Sequence, residues 1–377
     1  MNLINKERDT LDKLIPTLDA SLSALPLDVM EKPGNPAIAV FREAGACGLL
    51  VPREYGGLGA TPLQALQVQC AIGSRAPSLA VATTMHHFSV ATVVEMVGRK
   101  VGSGFEWMML EAIARQNLYV ASGFAEGQSG ASILASSMQV EKTQGGILIS
   151  GKKRPCSLSQ SMNLLTASLV IPGESGEEPR LAVAIIPSET PGIERRPFWN
   201  NAILAGAESD ELLLDKVNVP AELVSYFGVR GQFDAIQNRG FVWFEMLIAA
   251  SYLGIAAALV ERAIMARKGG ESERALLAIE IRGALSALEG VACAMVGENR
   301  VEDELAHALL VRYAVQRAIE RATTLAVELL GGMAYISSSD VSYLYAAARC
   351  LAFHPPSRPG AAKAINKYLA GEPFIIE

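Results

Sequence analysis

The run WFEMLIAASYLGIAAALVERAIMAR (243–267) decides the architecture. It holds no proline, its apolar residues recur at helical spacing, and it carries charge only at Glu245, Glu261, Arg262 and Arg267. Two runs of the same texture follow, SERALLAIEIRGALSALEGVACAMV (272–296) and DELAHALLVRYAVQRAIERATTLAVELLGG (303–332). Long helices joined by short connections predict an antiparallel bundle. Gly331-Gly332 reads as the stop of the third helix. A last helical run, DVSYLYAAARCLAF (340–353), gives way to HPPSRPG (354–360).

Upstream of this bundle the texture is different. LYVASGF (118–124), ILISG (147–151), LLTASLVI (164–171), LAVAIIP (181–187) and LLLDKVNVP (212–220) are short, β-rich and separated by turns containing Gly and Pro. They predict an antiparallel β domain. Before them the helical period holds again, with Leu11, Leu14, Ile15 and Leu18 on one face. VPREYGGLGATP (51–62) marks a loop between helices. The expected fold is α+β: an N-terminal helical domain (1–116), a middle antiparallel β domain (117–225) and a C-terminal four-helix bundle (226–377).

Composition narrows the function classes. The 33 basic and 39 acidic side chains give a net charge of -6 without a basic stretch, which argues against a nucleic-acid partner. Cys47, Cys70, Cys156, Cys293 and Cys350 are widely spaced and suggest neither a disulfide framework nor a metal site. Mean hydropathy is +0.25, yet Met246–Val260 spans only 15 residues between glutamates. A membrane span needs about 20, so no membrane insertion is expected. The charged N-terminus lacks the apolar core of a signal peptide, and the expected location is cytoplasmic. His86-His87 reads as a core or substrate-pocket pair rather than a set of metal ligands.

Six segments in order resemble the acyl-CoA dehydrogenase family. They are FREAGACGLLVPREYGGLGAT (41–61), ASGFAEGQSGAS (121–132), ISGKKRPCS (149–157), LLLDKVNVPAELV (212–224), AASYLGIAAALVERA (249–263) and VELLGGMAYI (327–336). The resemblance implies FAD held between the β domain and the helical bundle, in a homodimer or homotetramer. It implies flavin contacts from Ser122, Phe124, Ala125 and Gly130 on the first strand and its turn, and from Pro155, Cys156 and Ser157 on the next. Glu328, Gly331 and Gly332 fall where the family contacts flavin from the last long helix. Hydrogen bonds at the ring would stabilise the reduced form.

The implied activity is α,β-dehydrogenation of an acyl thioester, borne by CoA or by a carrier protein, with an unassigned electron acceptor. A glutamate of raised pKa would take the α-proton while hydride passes to flavin N5. Here the sequence departs from the family. Pro355 stands at one position of that glutamate, and Phe244, ten residues before Gly254, at the other. Glu245 and His354 are the neighbouring candidates for a catalytic base. The alternatives are an ion-paired glutamate and a plain loop histidine. Val242 replaces the aspartate associated with the CoA adenine, ARKGGESERALL (266–277) replaces the R-x-x-F-G loop, and Glu328 replaces a flavin-contacting glutamine. Two other readings accommodate these losses: a flavin-dependent monooxygenase of the same fold, which needs no glutamate base, and a non-catalytic binding protein.

Overall fold

In the computed structural model, residues 3–127, 136–173, 178–229, 234–296 and 303–376 are described. The N-terminal part holds helices α1 (Asn5–Leu14), α2 (Leu18–Ser23), α3 (Leu27–Met30), α4 (Pro36–Glu43), α5 (Pro62–Gly73), α6 (Pro77–Arg99) and α7 (Glu106–Gln116). The VPREYGG loop ends where the Thr61 hydroxyl accepts the Gln64 N–H and the Gln64 side chain accepts the Thr61 N–H, a capping box that starts α5.

Strands β1 (Val120–Gly123), β2 (Gln139–Thr143), β3 (Gly146–Cys156), β4 (Leu164–Ile171), β5 (Arg180–Pro187), β6 (Ile193–Arg196), β7 (Asp210–Pro220) and β8 (Val224–Val229) follow. They form two four-stranded sheets, ordered β1-β4-β5-β8 and β2-β3-β7-β6. The expectation of a purely antiparallel β region is corrected at one point: β1 and β4 run parallel, Val120 opposite Leu164. Parallel neighbours need a crossover, and here the chain makes it by building β2 and β3 of the other sheet in between.

The C-terminal part contains α8 (Ala235–Met265), α9 (Glu271–Ala294), α10 (Glu304–Ser337), α11 (Ser339–Ala348) and α12 (Arg358–Leu369). Asp234 caps α8 by accepting the Ile236 and Gln237 N–H groups at 2.8 Å each. Helix α8 is longer than the interval between its glutamates suggested: its 31 residues are long and apolar enough, by length and composition, to cross a membrane. Its apolar window is wholly buried by neighbouring helices, so the hydrophobicity serves the core. Backbones touch where α8 crosses α5. A Cβ on Gly73 would lie 2.2 Å from the Ser251 carbonyl oxygen, and one on Gly254 2.0 Å from that of Cys70. No side chain fits in either place.

The expected helix stop at Gly331-Gly332 is a break rather than an end. Gly331 adopts φ 82°, ψ 164°, and helix resumes beyond it to Ser337.

Candidate functional site

Edge strand β1 and the end of β3 meet beneath the helices. The Ala125 carbonyl accepts the Arg154 N–H at 2.8 Å, and the Cys156 thiol donates to the Ser122 carbonyl at 3.5 Å. The Ser157 and Ser209 hydroxyls are 3.0 Å apart. Ser122, Phe124, Ala125, Pro155, Cys156 and Ser157 therefore belong to one wall. Gly130 lies outside the described residues. Burial pushes the Cys156 thiol up to about 12, so it is a packed, protonated group. His86 anchors β1 from α6. Its Nδ1 accepts the Val120 N–H at 3.0 Å, so Nε2–H donates to the Cys47 carbonyl at 2.9 Å, and burial lowers its pKa to about 4.

A narrow cavity of about 40 Å³ opens between this sheet and the helices. Helix α6 supplies Phe88 and Thr92, and α8 supplies Gln237, Gly240 and Phe241. Phe124, Ser136, Ser168 and Phe227 come from the β side. Among the described residues, no charged side chain lines it. Behind the two serines lies a buried ion pair: Lys153 Nζ is 2.6 Å from Glu126 Oε1 and 3.1 Å from Ser168 Oγ.

A chain of rings leads from the cavity towards the C-terminal turn. Phe124 packs on Phe88 with centroids 5.9 Å apart, Phe88 on Phe244 at 5.5 Å, and Phe244 on His354 at 6.1 Å. Thus Phe244 faces Phe88, and Glu245, one residue or 100° further round the helix, faces α10. Its Oε2 accepts from Arg312 at 2.7 Å, and neither side chain is exposed to any degree. Burial pushes the Glu245 carboxyl up to about 7 against the opposing pull of the guanidinium. Arg312 also donates to the carbonyls of Leu351 (3.2 Å), His354 (2.6 Å), Pro355 and Pro356 (3.3 Å each), fastening the His-Pro-Pro turn.

His354 is held by its other side. Its Nε2 lies 2.9 Å from the Tyr252 hydroxyl. Burial, and then the positive charge of Arg312, lowers its pKa to about 3, while burial raises that of Tyr252 well above its ordinary range. Both groups are neutral. Tyr252 has no other acceptor for its proton among the described residues, so O–H donates to Nε2 and the imidazole proton sits on Nδ1. Glu328, Gly331 and Gly332 are not part of this constellation. With Val327, Tyr335 and Ile336 they line a separate, open hollow on α10.

Lys153, Tyr252 and Arg312 escaped the sequence reading, though two had left a signal; His86 is visible there only as half of a core or pocket pair. Lys153 follows Ile147 and Ile149 on the inward phase of β3, and Arg312 falls on the buried stripe of α10 with Leu305, Leu309 and Ile319. A charge in phase with a core stripe marks a buried pair.

The residues at β1 fit a planar flavin ring. Phenylalanine faces offer stacking surfaces, and among the described residues no carboxylate lines the space where a reduced ring would gather negative charge. Among the described residues no group of three or more His, Cys, Asp or Glu side chains forms a metal site.

Two helical parts around a two-sheet middle, with a neutral aromatic cleft between them, define the class of acyl-CoA dehydrogenase-like flavoproteins. A model of the acyl-CoA dehydrogenase N-terminal domain matches residues 24–101. Isobutylamine N-hydroxylase of Streptomyces viridifaciens is 40% identical over 383 residues, covering all of both chains. Dibenzothiophene monooxygenase of Rhodococcus erythropolis is 28% identical over 59% of this chain and 53% of its own. In fold, the chain superposes on glutaryl-coenzyme A dehydrogenase in its glutaryl-CoA complex with a TM-score of 0.80, at 21% identity, covering 100% of this chain and 96% of that one. KijD3 in complex with FMN and a dTDP-linked amino sugar gives 0.81 at 19% identity, over 98% and 94%. The chain belongs to the acyl-CoA dehydrogenase family of flavin-dependent oxidoreductases.

Proposed function

We propose that this protein is a flavin-dependent monooxygenase that hydroxylates the nitrogen of a small primary amine. The observation that carries the reading is the missing base. Phe244 and Pro355 occupy the two glutamate positions, and the one adjacent carboxylate, Glu245, is enclosed with Arg312 away from the cavity. Among the described residues, no carboxylate lines the cavity to serve carbon–hydrogen dehydrogenation as a base. Oxygen transfer to an amine needs none, because the nitrogen lone pair is the nucleophile. The full-length similarity to an isobutylamine N-hydroxylase supports the same class.

Bound reduced flavin, FMN or FAD, supplies two electrons to O2. One oxygen atom forms the N–O bond of a hydroxylamine, the other leaves as water, and the flavin is released oxidised. The chain's own contribution is to exclude water with Phe88, Phe124, Phe241 and Phe244, and to present neutral hydrogen-bonding groups. His354, fixed with its proton on Nδ1, offers a neutral donor beside Phe244; we assign it to proton handling at the rim of the site. Acyl-thioester dehydrogenation, on CoA or a carrier protein, is the second reading and would require Glu245 to leave Arg312.

The test is to supply the purified protein with a flavin reductase, NADH, O2, isobutylamine and catalase, with FMN and FAD in parallel. The expected product is heavier than the amine by one oxygen. An acyl-CoA substrate that loses two hydrogens, with no hydroxylamine from any amine, would overturn the proposal.

A further inference from the structure

We propose that Ser168 and Ser136 form the amine subsite, and that the buried Lys153–Glu126 pair sets their hydrogen-bond polarity so that the cavity binds the free base and rejects the alkylammonium ion. This rests on the N-hydroxylation reading and names which form of its substrate the site takes.

The polarity follows from donor counting. A serine hydroxyl has one proton and two lone pairs, while a lysine ammonium only donates. Lys153 Nζ lies 3.1 Å from Ser168 Oγ, so Ser168 accepts there and keeps its own proton, which no described neighbour takes. Ser136 is set the opposite way. Its hydroxyl donates to Glu126 Oε1 at 2.7 Å, with the Ser168 carbonyl also within 3.2 Å, so its proton stays inside the wall. It accepts the Met138 N–H at 3.3 Å and has a lone pair left for the cavity. The two serines therefore offer the cavity one proton, on Ser168, and a lone pair on each oxygen, with Thr92 and Gln237 as the other polar side chains of the lining.

A neutral primary amine matches that pair: its lone pair accepts from Ser168 and one N–H donates to Ser136. An alkylammonium ion has three donors and no acceptor, so it leaves the Ser168 proton without a partner and brings a charge that neither hydroxyl neutralises. Among the described residues no carboxylate compensates at the surface of the cavity. Glu126 is the nearest, and it is already engaged by Lys153, Ser136 and Ser137. Other charges on the surrounding elements are likewise committed. Arg239 of α8 pairs with Glu95 of α6 and Glu304 of α10, Glu106 of α7 accepts from Ser103 and reaches Ser225 of β8, and Arg180 of β5 stacks on Tyr226. None of them lines the cavity among the described residues. Apart from the uncharged Thr92 and Gln237 the remaining wall is apolar, and burying an uncompensated charge there is unfavourable. Selection of the free base also serves the chemistry, since only that form carries the lone pair that becomes the N–O bond.

Calorimetric titration of the purified protein with isobutylamine at pH 7, 8 and 9 tests this without flavin or turnover. An alkylamine titrates near the lysine value of about 10.4. The apparent Kd is therefore expected to fall about tenfold per pH unit, while isobutanol, which cannot ionise, binds with no such trend. Tetramethylammonium, a probe for cation–π binding on the phenylalanines, is expected not to compete. Ser168→Ala is expected to weaken the amine about tenfold at every pH, and Ser168→Thr to restore it. A pH-independent Kd, no detectable amine binding, or competition by tetramethylammonium would overturn the subsite. Hydroxylamine formation with pH-independent binding would sink the subsite and leave the N-hydroxylase reading standing. Free-base binding without hydroxylamine would do the reverse.

Discussion

His87 on α6 is fully buried against Phe41 and His86, and neither ring nitrogen finds a partner among the described residues. Burial, and then the neighbouring His86, lower its pKa well below the ordinary 6.5. A histidine whose folded pKa is depressed contributes stability above its unfolded pKa and loses it as pH falls towards the folded value. Below pH 6.5 the unfolded chain takes up a proton that the native site refuses, a loss of about 1.4 kcal/mol per pH unit. His86 adds a second such proton until pH reaches about 4. His87→Leu is therefore expected to raise stability at pH 7 by about 1–3 kcal/mol, since it removes unsatisfied nitrogens. It should also reduce the acid slope between pH 6 and 5 by about 1.4 kcal/mol per unit. Urea unfolding at several pH values measures both; an unchanged slope would show that His87 titrates normally. The sequence made this pair visible as a core or pocket feature. It could not separate the two roles, because His86 is distinguished only by Val120 and Cys47, which are remote in the chain.

At the scale of elements, helix α10 carries a break that its sequence announces. The Gly-Gly pair reads in the sequence as a helix stop, whereas the structure makes it a break that Gly331 alone carries: its φ of 82° with ψ 164° is a region open essentially to glycine. Gly332 has an ordinary negative φ, and nothing lies within 4 Å of a Cβ built on it. Gly331→Ala is expected to cost about 1–3 kcal/mol. Gly332→Ala should be neutral or stabilise by up to about 1 kcal/mol. Thermal denaturation of the two variants separates them, and equal effects would mean that the break is not fixed at Gly331. The same contrast explains what was hidden elsewhere. Strand content followed from alternation and turn residues, whereas the parallel β1–β4 pair depends on which sheet the intervening chain joins. The direction of Glu245 was likewise out of reach, since one residue of helical phase separates the cavity, where Phe244 stands, from Arg312.

Over the whole molecule, the order helix, sheet, helix was readable from texture alone, and the apolar excess has its destination in the buried apolar window of α8. What local sequence could not supply is why Glu328, Gly331 and Gly332 lie on an open hollow while Ser122, Phe124, Ala125, Pro155, Cys156 and Ser157 share the β1–β3 wall. The surface beyond the α10 break bears on this. Met333 is 75% exposed and Ile336 79%, beside a half-exposed Tyr335. Three large apolar side chains within four residues, at the mouth of a hollow, form the kind of patch that a protein surface normally covers. We expect a second copy of the chain to cover it, in a homodimer or homotetramer, which would let α10 of one protomer complete a flavin site on another. Light scattering coupled to size exclusion is expected to give a multiple of 40.1 kDa. The double variant Met333→Glu, Ile336→Glu should shift the mass towards a single chain and weaken flavin retention together, because the same surface would serve both. A wild-type mass of one chain would rule the arrangement out. Dissociation that leaves flavin binding intact would place all the cofactor contacts within one protomer.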